Sequence, residues 1–226
     1  SRLSMFNKVL IAEDHGLTGT GLVERLKESS VPEITVVHYC DDALLKLKAA
    51  LHQGKPFELL ITDLSFKADH KESKLTNGEE LIAEVKKIQP DLKIVVYSVE
   101  HRIAKIKSLL DKLKINGFVG KERQDFKEIT KALDAVFKGE TYFSSSLSHA
   151  LRSPEHQFEL DDYDLLILKL LTKGLKQEEI ATYFQEKKYP ASSLRSIQER
   201  LGKLKTIFGA KTPIHLIAQA MERGFI

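Results

Sequence analysis

The chain has 226 residues, 42% of them hydrophobic, and carries a formal net charge of +3 at pH 7. Its length suits one large domain or two small ones, its apolar content excludes disordered and fibrous proteins, and its small net charge does not by itself indicate a nucleic-acid partner. The sequence shows no membrane span or signal-peptide pattern, and its single cysteine, Cys40, excludes an internal disulfide, so we expect a cytoplasmic protein with no membrane partner.

The first part of the sequence alternates between two hydrophobic patterns. Short apolar runs typical of buried strands lie at 8–13, 34–38, 58–63, 93–98 and 117–120. Between these runs, and once more after the last, apolar residues recur at helical spacing. Because right-handed crossovers place helices on both faces of a parallel sheet, the pattern predicts a doubly wound α/β domain with a five-stranded parallel sheet.

The pattern changes after residue 140. Residues 141–157 are rich in Ser and His and show no sustained period, which indicates a linker. Every later segment is helical in pattern, with helices expected at 161–173 (ended by Gly174), at 176–185, at 193–208 with Ser192 or Ser193 as N-cap, and from Pro213 with Thr212 as N-cap. The predicted organisation is an α/β domain at 5–140, a linker at 141–158 and an all-α four-helix domain at 159–226.

Polar residues follow four of the predicted strands, and together they describe one site. Glu13 and Asp14 end the first run, Asp63 the third, Ser98 the fourth and Lys121 the fifth. Each residue alone is weak evidence, but the carboxyl ends of parallel strands form one crevice, where ligands bind. Three carboxylates brought so close repel one another unless a hard cation such as Mg²⁺ neutralises them, and Asp63 would then be a nucleophile able to form an aspartyl phosphate.

The run that ends in this acidic pair resembles the first strand of the receiver domain of two-component response regulators: Val9-Leu10-Ile11-Ala12-Glu13-Asp14-His15. The resemblance extends from about Lys8 to Phe143 and implies that a sensor histidine kinase phosphorylates Asp63. It also implies that Lys121 pairs with the phosphoryl group, that Ser98 rotates to bond it, and that Phe118 is the aromatic switch residue. The implied Mg²⁺ ligands are Glu13, Asp14, Asp63 and the main-chain carbonyl of Ser65.

The sequence departs from this family after the phosphoacceptor. The segment 65–77 is longer and more highly charged than the family's usual loop and contains no Pro. We therefore expect a lid over the pocket that is mobile or shaped for a particular kinase.

The second half resembles the four-helix DNA-binding domain of NarL/LuxR-type regulators. The resemblance rests on the segments 170–181, 193–198 and 208–210. One side of the predicted third helix is apolar, formed by Leu194, Ile197, Leu201, Leu204 and Phe208. Its outer side supplies the residues that we expect to contact double-stranded DNA: Arg195, Ser196, Gln198, Glu199, Arg200 and Lys203.

The charge of this region leaves two interpretations open. Between Lys187 and Lys211 there are seven basic residues and one acid, which suits either a phosphate-facing surface or a solvated helix face. The turn before the third helix, at 185–190, is longer than the family's short turn, and Gln198 stands where the family often has a basic residue. The resemblance therefore does not determine the base preference.

These observations predict a transcription regulator, not an enzyme, which binds DNA as a homodimer when Asp63 is phosphorylated. The last helix has more apolar surface than a small domain needs and is the candidate dimer contact, through Ile214, Leu216, Ile217, Ala220 and Met221. An aspartyl-phosphate phosphatase is a rival, but such enzymes commonly carry a second Asp two residues after the nucleophile, where this chain has Ser65. The remaining alternative is a phospho-switch adaptor whose helical domain binds protein instead of DNA.

Overall fold

A parallel sheet with the strand order β2-β1-β3-β4-β5-β6 forms the centre of the N-terminal unit. The computed structural model describes residues 6–14, 16–67, 73–121, 126–145, 147–148 and 160–226, and these form two compact units. The strands are β1 (Lys8–Ala12), β2 (Glu33–Val37), β3 (Leu59–Thr62), β4 (Lys93–Ser98), β5 (Gly117–Gly120) and β6 (Tyr142–Phe143). The helices of this unit are α1 (Gly16–Glu28), α2 (Cys40–His52), α3 (Gly78–Ile88), α4 (Ile103–Leu113) and α5 (Lys127–Phe137).

Both faces of the sheet are buried, which explains why its strands are continuously apolar. One face packs against α1 and α5 in a core that includes Val9, Ile11, Ile61, Val95 and Val119. The alternate residues are also buried but lie outside this core, and they include Leu10, Leu60, Ile94, Val96 and Phe118. Since successive side chains of a strand point to opposite faces, these residues cover the second face. The doubly wound parallel fold is confirmed.

The sheet contains one strand more than the sequence predicts. The short strand β6 pairs in parallel with β5, with Tyr142 opposite Gly117 and Phe143 opposite Phe118. The tyrosine hydroxyl donates a hydrogen bond to the carboxylate of Glu128 on α5, which fastens the edge strand to the helix layer. Two residues are too short to show a strand period, so this segment was assigned to the linker. The later part of the predicted linker, 149–158, lies outside the described residues.

The C-terminal unit consists of four helices: α6 (Asp162–Thr172), α7 (Gln177–Glu186), α8 (Leu194–Phe208) and α9 (Pro213–Glu222). Hydrogen bonds fix their starts, since the side chain of Ser193 accepts one from the amide of Ser196, and that of Thr212 accepts one from His215. A left-handed glycine, Gly209, follows α8. The all-α prediction is confirmed, and no helix among the described residues is long and apolar enough to cross a membrane.

The core of this unit includes most of the apolar side predicted for α8. Ile197, Leu201, Leu204 and Phe208 are each at most 2% exposed, and they pack against α6, α7 and α9. Leu194, at the first position of the helix, remains 36% exposed and is not part of this core. Burial of the inner side fixes which residues of α8 can face outward.

Candidate functional site

The polar residues after β1 and β3 converge at one edge of the sheet. The amide of Glu13 donates to the carbonyl of Val37 (2.9 Å), and the amide of Asp63 donates to Ala12 (3.1 Å), so the backbone pairing continues one residue beyond the strands. As a result, carboxylate oxygens of Glu13, Asp14 and Asp63 lie within 4.8 Å of one another. Glu13 and Asp63 are almost completely buried, at 1% and 4% exposure.

Asp63 is held by hydrogen bonds on both of its carboxylate oxygens. Oδ1 accepts from the amides of Leu64 (2.6 Å) and Ser65 (3.3 Å). Oδ2 accepts from Nζ of Lys121 at 2.5 Å, and the same ammonium group donates to Oε1 of Glu13 at 2.9 Å. This geometry fixes the orientation of the candidate nucleophile before any ligand binds.

Lys121 is itself held in place by β4. Its amide donates to the carbonyl of Ser98 (2.8 Å), which positions the base of the side chain. Its ammonium lies 5.3 Å from the ring centre of Tyr97, a cation-π contact. Burial, followed by the negative charges of Glu13 and Asp63, raises the pKa of Tyr97 above its ordinary value. Sequence reasoning assigned Tyr97 only to a buried strand, because an aromatic residue there is usually part of the core.

The donor set fits a hard divalent cation. Three carboxylates supply the oxygen ligands that Mg²⁺ or Ca²⁺ prefers. Lys121 contributes a single positive charge against three negative ones, so the cluster retains an excess of negative charge that a cation would neutralise. The acidic cluster can therefore bind a metal ion. The participation of the Ser65 carbonyl remains a prediction.

Hydrogen bonds to two aspartates, Asp14 of the cluster and Asp41 of α2, hold both described parts of the long segment after β3. The amide of Lys67 donates to Oδ2 of Asp14 (2.7 Å), while the amides of Lys74 and Leu75 donate to the carboxylate of Asp41 (2.8 and 3.1 Å). Residues 68–72 lie outside the described residues, as does His15. The expected mobility of the whole segment 65–77 is therefore untested at its centre, whereas its two ends are held by hydrogen bonds.

Gly78, the first residue of α3, is a site residue that sequence reasoning missed. A Cβ at this position would lie 2.0 Å from the carbonyl oxygen of Asp63, far inside contact distance. Only glycine therefore allows α3 to start so close to the phosphoacceptor candidate. The one sequence feature that could have indicated Gly78 is its position directly after Asn77. The side chain of Asn77 caps α3 by accepting a hydrogen bond from the amide of Glu80.

The two remaining predicted residues, Ser98 and Phe118, are fully buried. The hydroxyl of Ser98 accepts a hydrogen bond from the amide of Glu100 (3.4 Å). In the register of β4 and β5, Ser98 lies opposite Gly120 and Val96 lies opposite Phe118. Ser98 and Phe118 therefore share one face of the sheet and lie two positions apart in the strand register.

The predicted DNA-contacting residues lie on α8, and most of them face outward. Arg195, Gln198, Glu199 and Lys203 are exposed, and Ser196 is half-buried beside the N-cap. Arg195 forms an ion pair with Glu199 one helical turn away (2.9 Å), and this pairing raises the pKa of the arginine. The outer side of the helix thus offers long polar side chains of both charges.

Arg200, the last of the predicted DNA contacts, forms hydrogen bonds within the domain. Nη2 donates to Asp161 and to Asp164 (2.7 Å each), and Nε donates to Asp164, whose side chain is completely buried. The hydrogen bond to Asp164, followed by the negative charges of both acids, raises the pKa of Arg200. These contacts hold the start of α6 against α8, so the structure supports a stabilising role for Arg200, whose contact with DNA remains a prediction.

We expect Gly78→Ala to weaken Mg²⁺ binding by about 10- to 100-fold, since relief of the clash must displace the backbone of Asp63, and misplacements of this size are costly at a site. Titration calorimetry with Mg²⁺ measures the effect. Gly202→Ala is the matched control, because a Cβ there meets nothing within 4 Å. Equal affinity in the two variants, both folded by circular dichroism, would show that Gly78 has no part in placing Asp63.

Arg200→Ala should destabilise the C-terminal unit by about 3–5 kcal/mol, because it leaves the buried carboxylate of Asp164 unpaired. Urea unfolding followed by circular dichroism tests this, with Arg195→Ala as the exposed control that should leave the unfolding midpoint unchanged.

Burial raises the pKa of Asp161, but hydrogen bonding from Asp164 and the charge of Arg200 outweigh it and lower that pKa below 3.8. The stability contributed by Asp161 is therefore complete above this value and lost as the pH falls further. A wild-type advantage that does not shrink below about pH 4 would contradict this linkage.

Comparison with solved structures finds full-length relatives of the same architecture. No family model matches the sequence, and a search of curated proteins gives no match. A structure of two RcsB dimers bound to two parallel DNAs is 26% identical, with a TM-score of 0.65, over 98% of this chain and 99% of that chain. A structure of the Salmonella typhimurium RcsB response regulator, described for its conformational dynamism for DNA interaction, is 25% identical, with a TM-score of 0.68, over 95% and 98%.

A third structure, RcsB from Salmonella enterica serovar Typhimurium bound to promoter rprA in the presence of the phosphomimetic BeF₃⁻, is 25% identical. Its TM-score is 0.62, over 96% of this chain and 98% of that chain. Likeness over nearly the whole length of both chains agrees with the two folds and with the strand-end site. The chain therefore has the architecture of a two-component response regulator, a receiver domain followed by a NarL/LuxR-type DNA-binding domain.

Proposed function

We propose that this protein is a response regulator that accepts a phosphoryl group on Asp63 from a sensor histidine kinase and thereby controls transcription. The observation that carries the proposal is the convergence of Asp63, two further carboxylates and Lys121 at the carboxyl edge of the sheet. The relative that is bound to promoter rprA in the presence of BeF₃⁻ supports it, because BeF₃⁻ is a phosphomimetic. In this function the chain is a switch and not an enzyme, and it meets its kinase and its DNA in the cytoplasm.

The chemistry follows from the surroundings of Asp63. A carboxylate oxygen of Asp63 attacks the phosphorus, an acyl phosphate bond forms, and the bond from phosphorus to the nitrogen of the kinase histidine breaks. We propose Mg²⁺ as the metal ion. Glu13, Asp14, Asp63 and the Ser65 carbonyl would hold it, and it would supply positive charge to the phosphoryl oxygens. Lys121 exchanges its bond to Asp63 for one to the new phosphoryl group, which keeps the ammonium paired.

Ser98 and Phe118 convert this charge into a change of packing. The Ser98 hydroxyl is buried and lies close to Lys121 in the strand register, so it can turn from the Glu100 amide to a phosphoryl oxygen. A shift of β4 and its loop is transmitted to Phe118 on the same face of the sheet, because a close-packed interior does not deform gradually. The two arrangements of this face form the switch.

The C-terminal unit supplies the DNA-binding surface. The inner side of α8 is buried in the core, and its outer side presents Arg195, Gln198 and Lys203, with Ser196 and Glu199 between them. A helix with its side chains is about as wide as the major groove, so an outward-facing polar side can reach base edges. We propose that α8 is the recognition helix, and the DNA complexes of the RcsB relatives support this assignment.

Exposed apolar residues on α9 support dimerisation. Leu216 and Ala220 bury one side of this helix, whereas Ile214 is 81% exposed and Met221 is 54% exposed. These two apolar residues lie seven positions apart and therefore on the same side. We propose this side as the contact of a homodimer on DNA, an assembly that agrees with the dimers of the relative.

The central prediction concerns Asp63. Incubation with Mg²⁺ and acetyl phosphate should add one acid-labile phosphate to the wild-type chain and none to Asp63→Asn, because an amide is a far poorer nucleophile. Asp42→Asn, an exposed acid on α2, is the charge-matched control and should be labelled as fully as the wild type. Intact-mass spectrometry gives the measurement. Equal labelling of Asp63→Asn and Asp42→Asn would remove Asp63 as the phosphoacceptor.

A further inference from the structure

The turn between α7 and α8, residues 187–192, is an ordered projection. At the end of α7 the amide of Lys188 donates to Gln185 (3.0 Å) and that of Tyr189 donates to Phe184 (2.9 Å). The rings of Phe184 and Tyr189 pack 5.0 Å apart. This combination is a Schellman motif with its usual apolar contact. The end of α7 is therefore fixed both by hydrogen bonds and by packing.

The second half of the turn is tied to two different helices. The hydroxyl of Tyr163 on α6 donates to the carbonyl of Ala191 (2.6 Å), and the side-chain amide of Gln185 on α7 donates to that of Ser192 (3.3 Å). All residues from 185 to 191 are nonetheless exposed. The turn therefore presents its side chains to solvent from a backbone that is anchored at both ends.

Two lysines occupy the exposed part of this turn. Neither Lys187 nor Lys188 forms an ion pair within the part of the chain that the structure describes. Lys188 adopts a left-handed backbone (φ +56°), at the helix-end position where glycine is most easily accommodated. The backbone conformation at this position favours glycine, yet the residue there is a lysine with a charged side chain. Backbone outliers of this kind motivate a search for function.

The turn borders the outer side of α8. Pro190 and Ala191 line a hollow of about 410 Å³ together with residues of α8 that include Ser196, Glu199 and Lys203. The projection therefore stands beside the helix on the side that faces away from the core. It adds positive charge next to the surface that carries Arg195 and Lys203.

We propose that the turn at 187–192 is a second DNA contact, in which Lys187 and Lys188 bind the phosphate backbone beside the groove that α8 enters. This inference rests on the proposed function of α8. A helix of about 10–12 Å diameter fills a major groove of about 12 Å, so a projection beside its outer side meets the groove wall, which is the sugar-phosphate backbone. Phosphate contacts of this kind position the protein on the duplex without reading its sequence.

The test measures DNA affinity of the full-length protein against salt concentration, by fluorescence anisotropy with a mixed-sequence duplex of about three helical turns. Lys187→Ala/Lys188→Ala should reduce the slope of log affinity against log salt by about 0.9 for each phosphate contact, that is by about 1.8 for each protomer and about 3.6 for the proposed homodimer. Lys46→Ala/Lys48→Ala removes the same charge from exposed positions on α2 and should leave the slope unchanged. Arg195→Ala/Lys203→Ala, on α8 itself, tests the proposed recognition helix in parallel.

Lys188→Gly separates binding from folding. Glycine favours the left-handed conformation, so this variant should unfold at a higher temperature than the wild type while binding DNA more weakly, a combination that a folding defect cannot produce. Unchanged slope and affinity in both turn variants, together with weaker binding of Arg195→Ala/Lys203→Ala, would overturn the second contact and leave α8 as the recognition helix. Absence of DNA binding by the wild-type protein, with and without acetyl phosphate, would overturn both assignments.

Discussion

The ion pairs of Lys121 are the interaction on which the N-terminal unit depends. One ammonium group bridges Glu13 and Asp63, two carboxylates that are almost completely removed from water. Buried charges are unfavourable unless they are paired, so the strand ends that carry them must meet accurately. The pairing of β1 with β3, of β3 with β4 and of β4 with β5 brings these three residues together. The negative charge that remains unbalanced in the cluster favours the binding of a metal ion there.

In the C-terminal unit, α8 contributes one of its sides to the core and the opposite side to the surface. Its inner side is held by apolar contacts, and Arg200 adds a buried pairing with Asp164 at the start of α6. These contacts fix the rotation of the helix about its own axis. Arg195 and Lys203 face outward because the opposite side of α8 is packed in the core.

Much of this arrangement could be predicted from the sequence. The strand-end positions of Glu13, Asp63 and Lys121 were predictable because a parallel sheet collects its carboxyl ends at one edge, whatever the details of packing. The burial of Ile197 and Leu201 was predictable from helical spacing alone. These predictions rely on the period of regular structure, which short windows of sequence contain.

The remaining features depend on contacts between residues far apart in the chain. The strand at Tyr142 is defined by its pairing with β5, and Gly78 is required only because α3 starts against the backbone of Asp63. Arg200 was assigned to DNA because its charge and helical position suit a groove, whereas its partners lie 36 and 39 residues earlier. No local pattern encodes such partners. The predicted domain limits of 5–140 and 159–226 remain predictions.

The link between the two units is tested most directly by DNA affinity before and after phosphorylation. Anisotropy titrations of a promoter fragment selected from genomic DNA would compare the wild type with Asp63→Asn, each with and without acetyl phosphate and Mg²⁺. We expect tighter binding on treatment of the wild type, by about 5- to 150-fold as is typical of coupled sites, and no change in Asp63→Asn. Equal affinity of treated and untreated wild-type protein, with phosphorylation confirmed by mass, would contradict a phosphorylation-controlled DNA switch.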